Sequence, residues 1–138
     1  MIQRIQSVYL LLAGIAALLL ILLPLGSLTP EGEETVPALI KAANHVGLLV
    51  SSGLMVTVAL TTIFLYTNRP LQARIGNVAV AAALAFAGIF VVVFQADLDR
   101  FQVAVGTFMP VIYIILVVLA VRSIRRDEAL VKSADRFR

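Results

Sequence analysis

The sequence has no cysteine, a single histidine and few charges. Without cysteine there is no disulfide, no thiolate metal site, no thiol-linked haem, no cysteine nucleophile and no thiol for palmitoylation. Charged residues make up 14% of the 138, and hydrophobic residues 61%. A soluble domain carries about 25% charged and roughly 45–50% apolar residues. Charge is missing above all from four apolar runs. Between Val8 and Leu25, Val46 and Tyr66, Ile75 and Phe94, and Val103 and Val121 there is no Asp, Glu, Lys, Arg or His. Each run suits a hydrocarbon core that roughly 20 helical residues cross. Four such spans leave fewer than about 60 residues for connections and tail, so no separate soluble domain is expected.

The remaining charges are sorted by position. The N-terminus, the middle connection and the tail hold nine of the eleven Lys and Arg residues, with Asp127, Glu128 and Asp135. The first and third connections hold the other five acids, with only Lys41 and Arg100. Basic residues stay on the cytoplasmic side of a membrane, so both chain ends are expected there. The basic flanks serve topology, which leaves nucleic acid a poor partner for them.

Along the chain, the first run resembles a signal peptide in its basic start and Leu-rich centre. It is long for one, and no small-x-small cleavage site follows, so it reads as a true span. Residues 26–36, GSLTPEGEETV, read as an outer loop. Pro37 suits the first turn of a second helix whose periodic pattern runs from Ala38 to Tyr66. Lys41 would then snorkel outward, with Asn44 and His45 near headgroup depth. Residues 67–74, TNRPLQAR, form a tight inner turn. Pro110 should kink the fourth helix near Gly106 and Thr107. The tail from Arg122 carries Ile124, Leu130, Val131, Ala134 and Phe137 mostly on one face. It is expected to prolong the fourth helix or to lie on the membrane surface.

Chemistry-bearing residues are sparse. A metal or haem at His45 would lack a second His or any Cys, so an interfacial polar role beside Asn44 is the default. The acids of EGEE and DLD lack calcium-loop spacing. No nucleophile–base set or phosphate loop is present, and neither cofactor, metal nor catalytic residue is expected. The neutral spans lack the ionisable group that coupled pumps usually need, so transport by this chain alone is not expected. Small residues stand out instead. Gly76, Ala79, Ala83 and Ala87 on the third span, and Gly47 and Ser51 on the second, allow close helix approach within the chain or against another subunit. The second span adds Ser52, Thr57, Thr61 and Thr62, which either pack or line a path.

Two segments, MIQRIQSVYLLLAGI at the start and RSIRRDEALVKSADRFR at the end, resemble the ends of small four-helix membrane proteins grouped as domain of unknown function 4293. The resemblance implies four transmembrane helices in the inner membrane of bacteria of the Bacteroidetes type, and supplies no activity. It puts Gln3, Arg4 and Gln6 on the cytoplasmic face, with Asp127, Glu128, Ser133, Asp135 and Arg136 and the neighbouring Arg125 and Arg126. Membrane retention needs only basic residues there. The mixed pattern therefore marks a docking surface. The reading is one all-α, up-down four-helix transmembrane bundle over 1–138, with an amphipathic C-terminal extension. Its expected role is a non-catalytic accessory or assembly subunit, in contact with lipids and other membrane subunits. A small homo-oligomeric transporter or channel is the alternative, and oligomeric state is open.

Overall fold

The computed structural model describes residues 3–29 and 37–135. It holds four helices: α1 (Gln3–Leu22), α2 (Val46–Phe64), α3 (Arg69–Phe94) and α4 (Met109–Asp135). All four are long and apolar enough to cross a membrane. Helix α1 packs on α2 and α4, and α3 packs on the same two, which closes a four-helix ring.

The heptad-like spacing of small and large apolar residues sets the inward faces. On α1 the buried row is Leu10, Ala13, Ala17 and Leu20; on α4 it is Tyr113, Val117, Ala120 and Ile124. These steps of three and four bring one side of each helix to the axis. The outward sides are also apolar. Ile5, Val8, Leu22, Val50, Leu84 and Val92 are among many large exposed hydrophobics. Only 28–39% of each spanning window is buried. Water would penalise such a surface, whereas lipid tails solvate it.

The departure from an all-helical reading lies in the outer connections. Strand β1 (Pro24–Leu28) is the centre of a three-stranded antiparallel sheet, between β2 (Ala38–Lys41) and β3 (Phe101–Val103). Ser27 stands opposite Leu39 on one side and Gln102 on the other. The expected helix over residues 38–45 is therefore corrected. Ala38–Lys41 is a strand, Ala42–Asn44 a single 3₁₀ turn, and α2 begins only at Val46. Ala, Leu and Lys favour a helix locally. Pairing with β1 satisfies the same backbone groups and buries Ile40, so tertiary context overrides propensity. Pro37 precedes a strand rather than starting a helix. The acidic part of the loop, residues 30–36, lies outside the described residues.

The fourth span is corrected as well. Helix α4 begins at Met109, after a 3₁₀ turn at Val105–Phe108. Pro110 is thus in the first turn of α4 and makes no kink, because its missing N–H would lack a helical partner there anyway. Its 27 residues extend to about 40 Å at 1.5 Å per residue, against a hydrocarbon core of about 30 Å. The tail therefore prolongs α4. At the other connection Asn68 caps α3 through its Oδ1, which accepts from Leu71 N–H at 3.3 Å. This cap and Pro70 start α3 at Arg69, ahead of the expected Ile75.

The small residues divide between two faces. Gly76, Ala79 and Ala83 are buried on α3, joined by Ala82 and Phe86, whereas Ala81, Ala85 and Ala87 are exposed. A side chain at Gly76 would strike Val121 of α4, so the glycine sets that helix contact. Ala83→Leu is expected to cost about 1–3 kcal/mol, while Ala81→Leu on the outer side stays within about 0.5 kcal/mol. Thermal denaturation of the purified variants in mild detergent checks the difference.

Candidate functional site

The polar side chains gather at the helix ends remote from the sheet. Hydrogen bonds there join α1 to α4, α3 to α2 and α4 to α3. Gln6 Nε2 donates to Asp127, linking two side chains 121 residues apart, both buried. Gln72 Nε2 of α3 donates to the Thr62 carbonyl of α2 at 3.0 Å, again in a buried setting. Arg125 Nη2 donates to Asn77 Oδ1 at 3.5 Å on the surface. Lys132 pairs with Glu128 at 2.7 Å, one helical turn apart.

Each buried member lies on an inward row that it prolongs. Gln6 stands four residues before Leu10, Gln72 four before Gly76, and Asp127 three after Ile124. The rows are apolar through the middle of the bundle and turn polar at this end. A buried amide or carboxylate is costly unless bonded; Gln6 and Asp127 bond each other, and Gln72 bonds the Thr62 carbonyl. A charge-assisted bond such as Gln6–Asp127 contributes about 1.5–3 kcal/mol where both groups are desolvated. The network thus fixes the mutual position of α1 and α4 at the end that bears the charges.

Around this frame the charged groups face outward. Arg122, Arg125 and Arg126 are exposed, as are Arg74 and Lys132, and Arg69 is half-buried. Of the residues expected to dock a partner, Gln6 and Asp127 are buried and structural, so they are unavailable as a docking surface. Arg125, Arg126 and the partly exposed Glu128 remain on the surface. The side chains of Gln3, Arg4 and Asp135, and all of Arg136, lie outside the described residues. Several hollows open between the helix ends. One of about 650 Å³ lies between α1, α2 and α3, bordered by Gln6, Val8, Phe64, Tyr66, Arg69 and Gln72. A second of about 630 Å³ lies between the α2–α3 turn and α4, and shares Tyr66 and Arg69 with the first.

The other sequence candidates lie elsewhere. The hydroxyls of α2 do not form one stripe. Ser51, Ser52 and Thr62 are buried, and Thr57 and Thr61 are exposed. All five bond carbonyls of their own helix, as in Ser51 Oγ to Gly47 O at 2.8 Å and Thr61 Oγ1 to Thr57 O at 2.7 Å. Gly47 is exposed, with Ile89 close by. His45 precedes α2 and meets the ring of Phe94 edge-on at 5.1 Å, beside Phe90 and Phe101. That aromatic group supports the sheet end.

Four apolar helices of this length, with an apolar outer surface, define a multi-pass membrane protein by composition. Over residues 2–137 the chain matches the sequence model of the family described as Domain of unknown function (DUF4293), and it belongs to that family. The resemblance carried by the two chain ends is thereby borne out. No curated protein and no solved structure matches the chain.

Proposed function

We propose that this chain is a non-catalytic accessory or assembly subunit of a larger complex in a bacterial cytoplasmic membrane. Its four helices alternate in direction, and both termini lie on the cytoplasmic side. The orientation rests on the charge sorting along the sequence, a net +6 over the N-terminus, the middle connection and the tail and −3 over the first and third connections. The observation that carries the role is the locked, mixed-charge end. Gln6–Asp127 and Gln72–Thr62 tie the helices from within, while Arg125, Arg126 and Glu128 are presented outside. Retention in the membrane requires basic residues and no such frame. A preorganised charged surface lowers the ordering cost of docking and steers a partner of complementary charge.

The transporter reading has less behind it. Its path would need the α2 hydroxyls on one side, and they are split between faces and bonded to their own helix. The test is gentle extraction from the native membrane, native sizing and identification of the proteins that migrate with the chain. Comigration with other membrane subunits is the expected result. Arg125→Glu combined with Arg126→Glu is expected to release them with an unchanged melting temperature. A lone monomer or homodimer under those conditions would overturn the reading.

A further inference from the structure

The 650 Å³ hollow between α1, α2 and α3 combines a cation, Arg69, with two buried amides, Gln6 and Gln72, and apolar side chains. Arg69 opens α3, is half-buried, and has no carboxylate pairing with it among the described residues. Nearby acids are already engaged. Glu128 is held by Lys132, and Asp127 lies behind Gln6 and does not border the hollow. Beside Arg69 are two buried amides. Gln6 and Gln72 each commit a proton of Nε2 to a protein acceptor, and each amide carries a second proton. The same hollow is lined by Val8, Ile63 and the largely exposed Phe64. A guanidinium that is half withdrawn from water calls for an anion, and its planar fork suits a phosphate. Val8 and Phe64 are exposed on the outer surface of the helices, which suits a hydrocarbon chain. The volume falls within the roughly 300–1,000 Å³ of small-molecule sites.

We propose that this hollow binds one anionic glycerophospholipid, with the headgroup phosphate on Arg69 and an acyl chain along Val8, Ile63 and Phe64. The inference rests on the orientation proposed above only in placing Arg69 at a bilayer surface. It needs no partner complex, so the two readings fail separately. The occupant is a lipid rather than a free anion because the cation and the apolar side chains line one hollow.

The test uses the full chain, purified and delipidated in mild detergent, then offered equal amounts of phosphatidylglycerol and phosphatidylcholine. Native mass spectrometry is expected to find one retained phosphatidylglycerol. Arg69→Gln should lower that retention about fivefold or more, the scale of one basic residue near an anionic surface. Arg74→Gln removes an exposed arginine of the same helix outside the hollow, and is expected to change it less than about twofold. Added phosphatidylglycerol should raise the melting temperature of the unsubstituted chain and of Arg74→Gln, and leave Arg69→Gln where it was. Equal retention of the two lipids, or equal losses in the two arginine variants, overturns the proposal. So does displacement of the lipid by inorganic phosphate at comparable concentration, which would mark a free-anion site. Should Arg69→Gln not fold, Phe64→Ala carries the test: lowered retention supports the site, and unchanged retention overturns it.

Discussion

Tyr113→Ala is expected to destabilise the protein by about 3–5 kcal/mol, the range for deleting a buried aromatic ring. Tyr113 is the largest fully buried side chain, at 0% exposure, and sits in a core that also holds Met55, Phe86 and Val117. The helices around it are held by packing rather than by expulsion of water, since their outer faces are as apolar as lipid. A void therefore removes dispersion contacts that nothing restores. The hydroxyl adds a cross-helix bond, from Tyr113 Oη to the Met55 carbonyl at 2.9 Å. Tyr113→Phe removes only that bond and is expected to cost about 1 kcal/mol, because the carbonyl keeps its place in the α2 ladder. Denaturation of both variants in detergent separates the contributions. Equal losses would show that the ring does not fill the core.

Gly106→Val is expected to be nearly as damaging, at about 3 kcal/mol, the upper end for overpacking. A Cβ at Gly106 would lie 2.5 Å from the Pro24 carbonyl oxygen and 2.9 Å from its carbon. Both are backbone atoms and cannot swing aside. The turn at Val105–Phe108 is bound to the same strand, since Ala104 N–H donates to the Leu25 carbonyl at 3.0 Å and Thr107 Oγ1 donates to it as well. A displaced turn therefore shifts the entry of α4 and the sheet together. Gly26 in β1 is similarly confined, 2.6 Å from the Gln102 carbonyl oxygen. The contrasting substitution is Gly53→Ala on α2. Nothing lies within 4 Å of its added carbon, and helix propensity gains up to about 1 kcal/mol. A thermal melt should show the Gly106 variant lowered and the Gly53 variant equal or raised.

The polar network was half legible. The row Leu10, Ala13, Ala17, Leu20 points back to Gln6, and the row Tyr113, Val117, Ala120, Ile124 points on to Asp127. Helical spacing puts each of them in line with its row. It does not say that they meet. Reading them as docking residues followed from the family resemblance and the mixed charge pattern of the chain ends, and their burial takes them out of any exposed surface. For Arg69 the sequence carried only a topology signal. Its place beside apolar side chains depends on how α1 leans on α2 and α3.

Membrane class and four spans were determined by the sequence itself. They follow from length and neutrality, both properties of one segment in one solvent. The sheet was decided by the tertiary structure. Ala38–Lys41 has helical composition, and it became a strand because β1 stood where its backbone could pair. Pro110 likewise starts a helix instead of kinking one, because the turn at Val105–Phe108 is tied to Leu25. The Gln6–Asp127 bond joins the two ends of the chain, and only the closed helix ring brings them together. Local composition selects the spans; which face each helix buries, and against what, depends on residues far away in the chain.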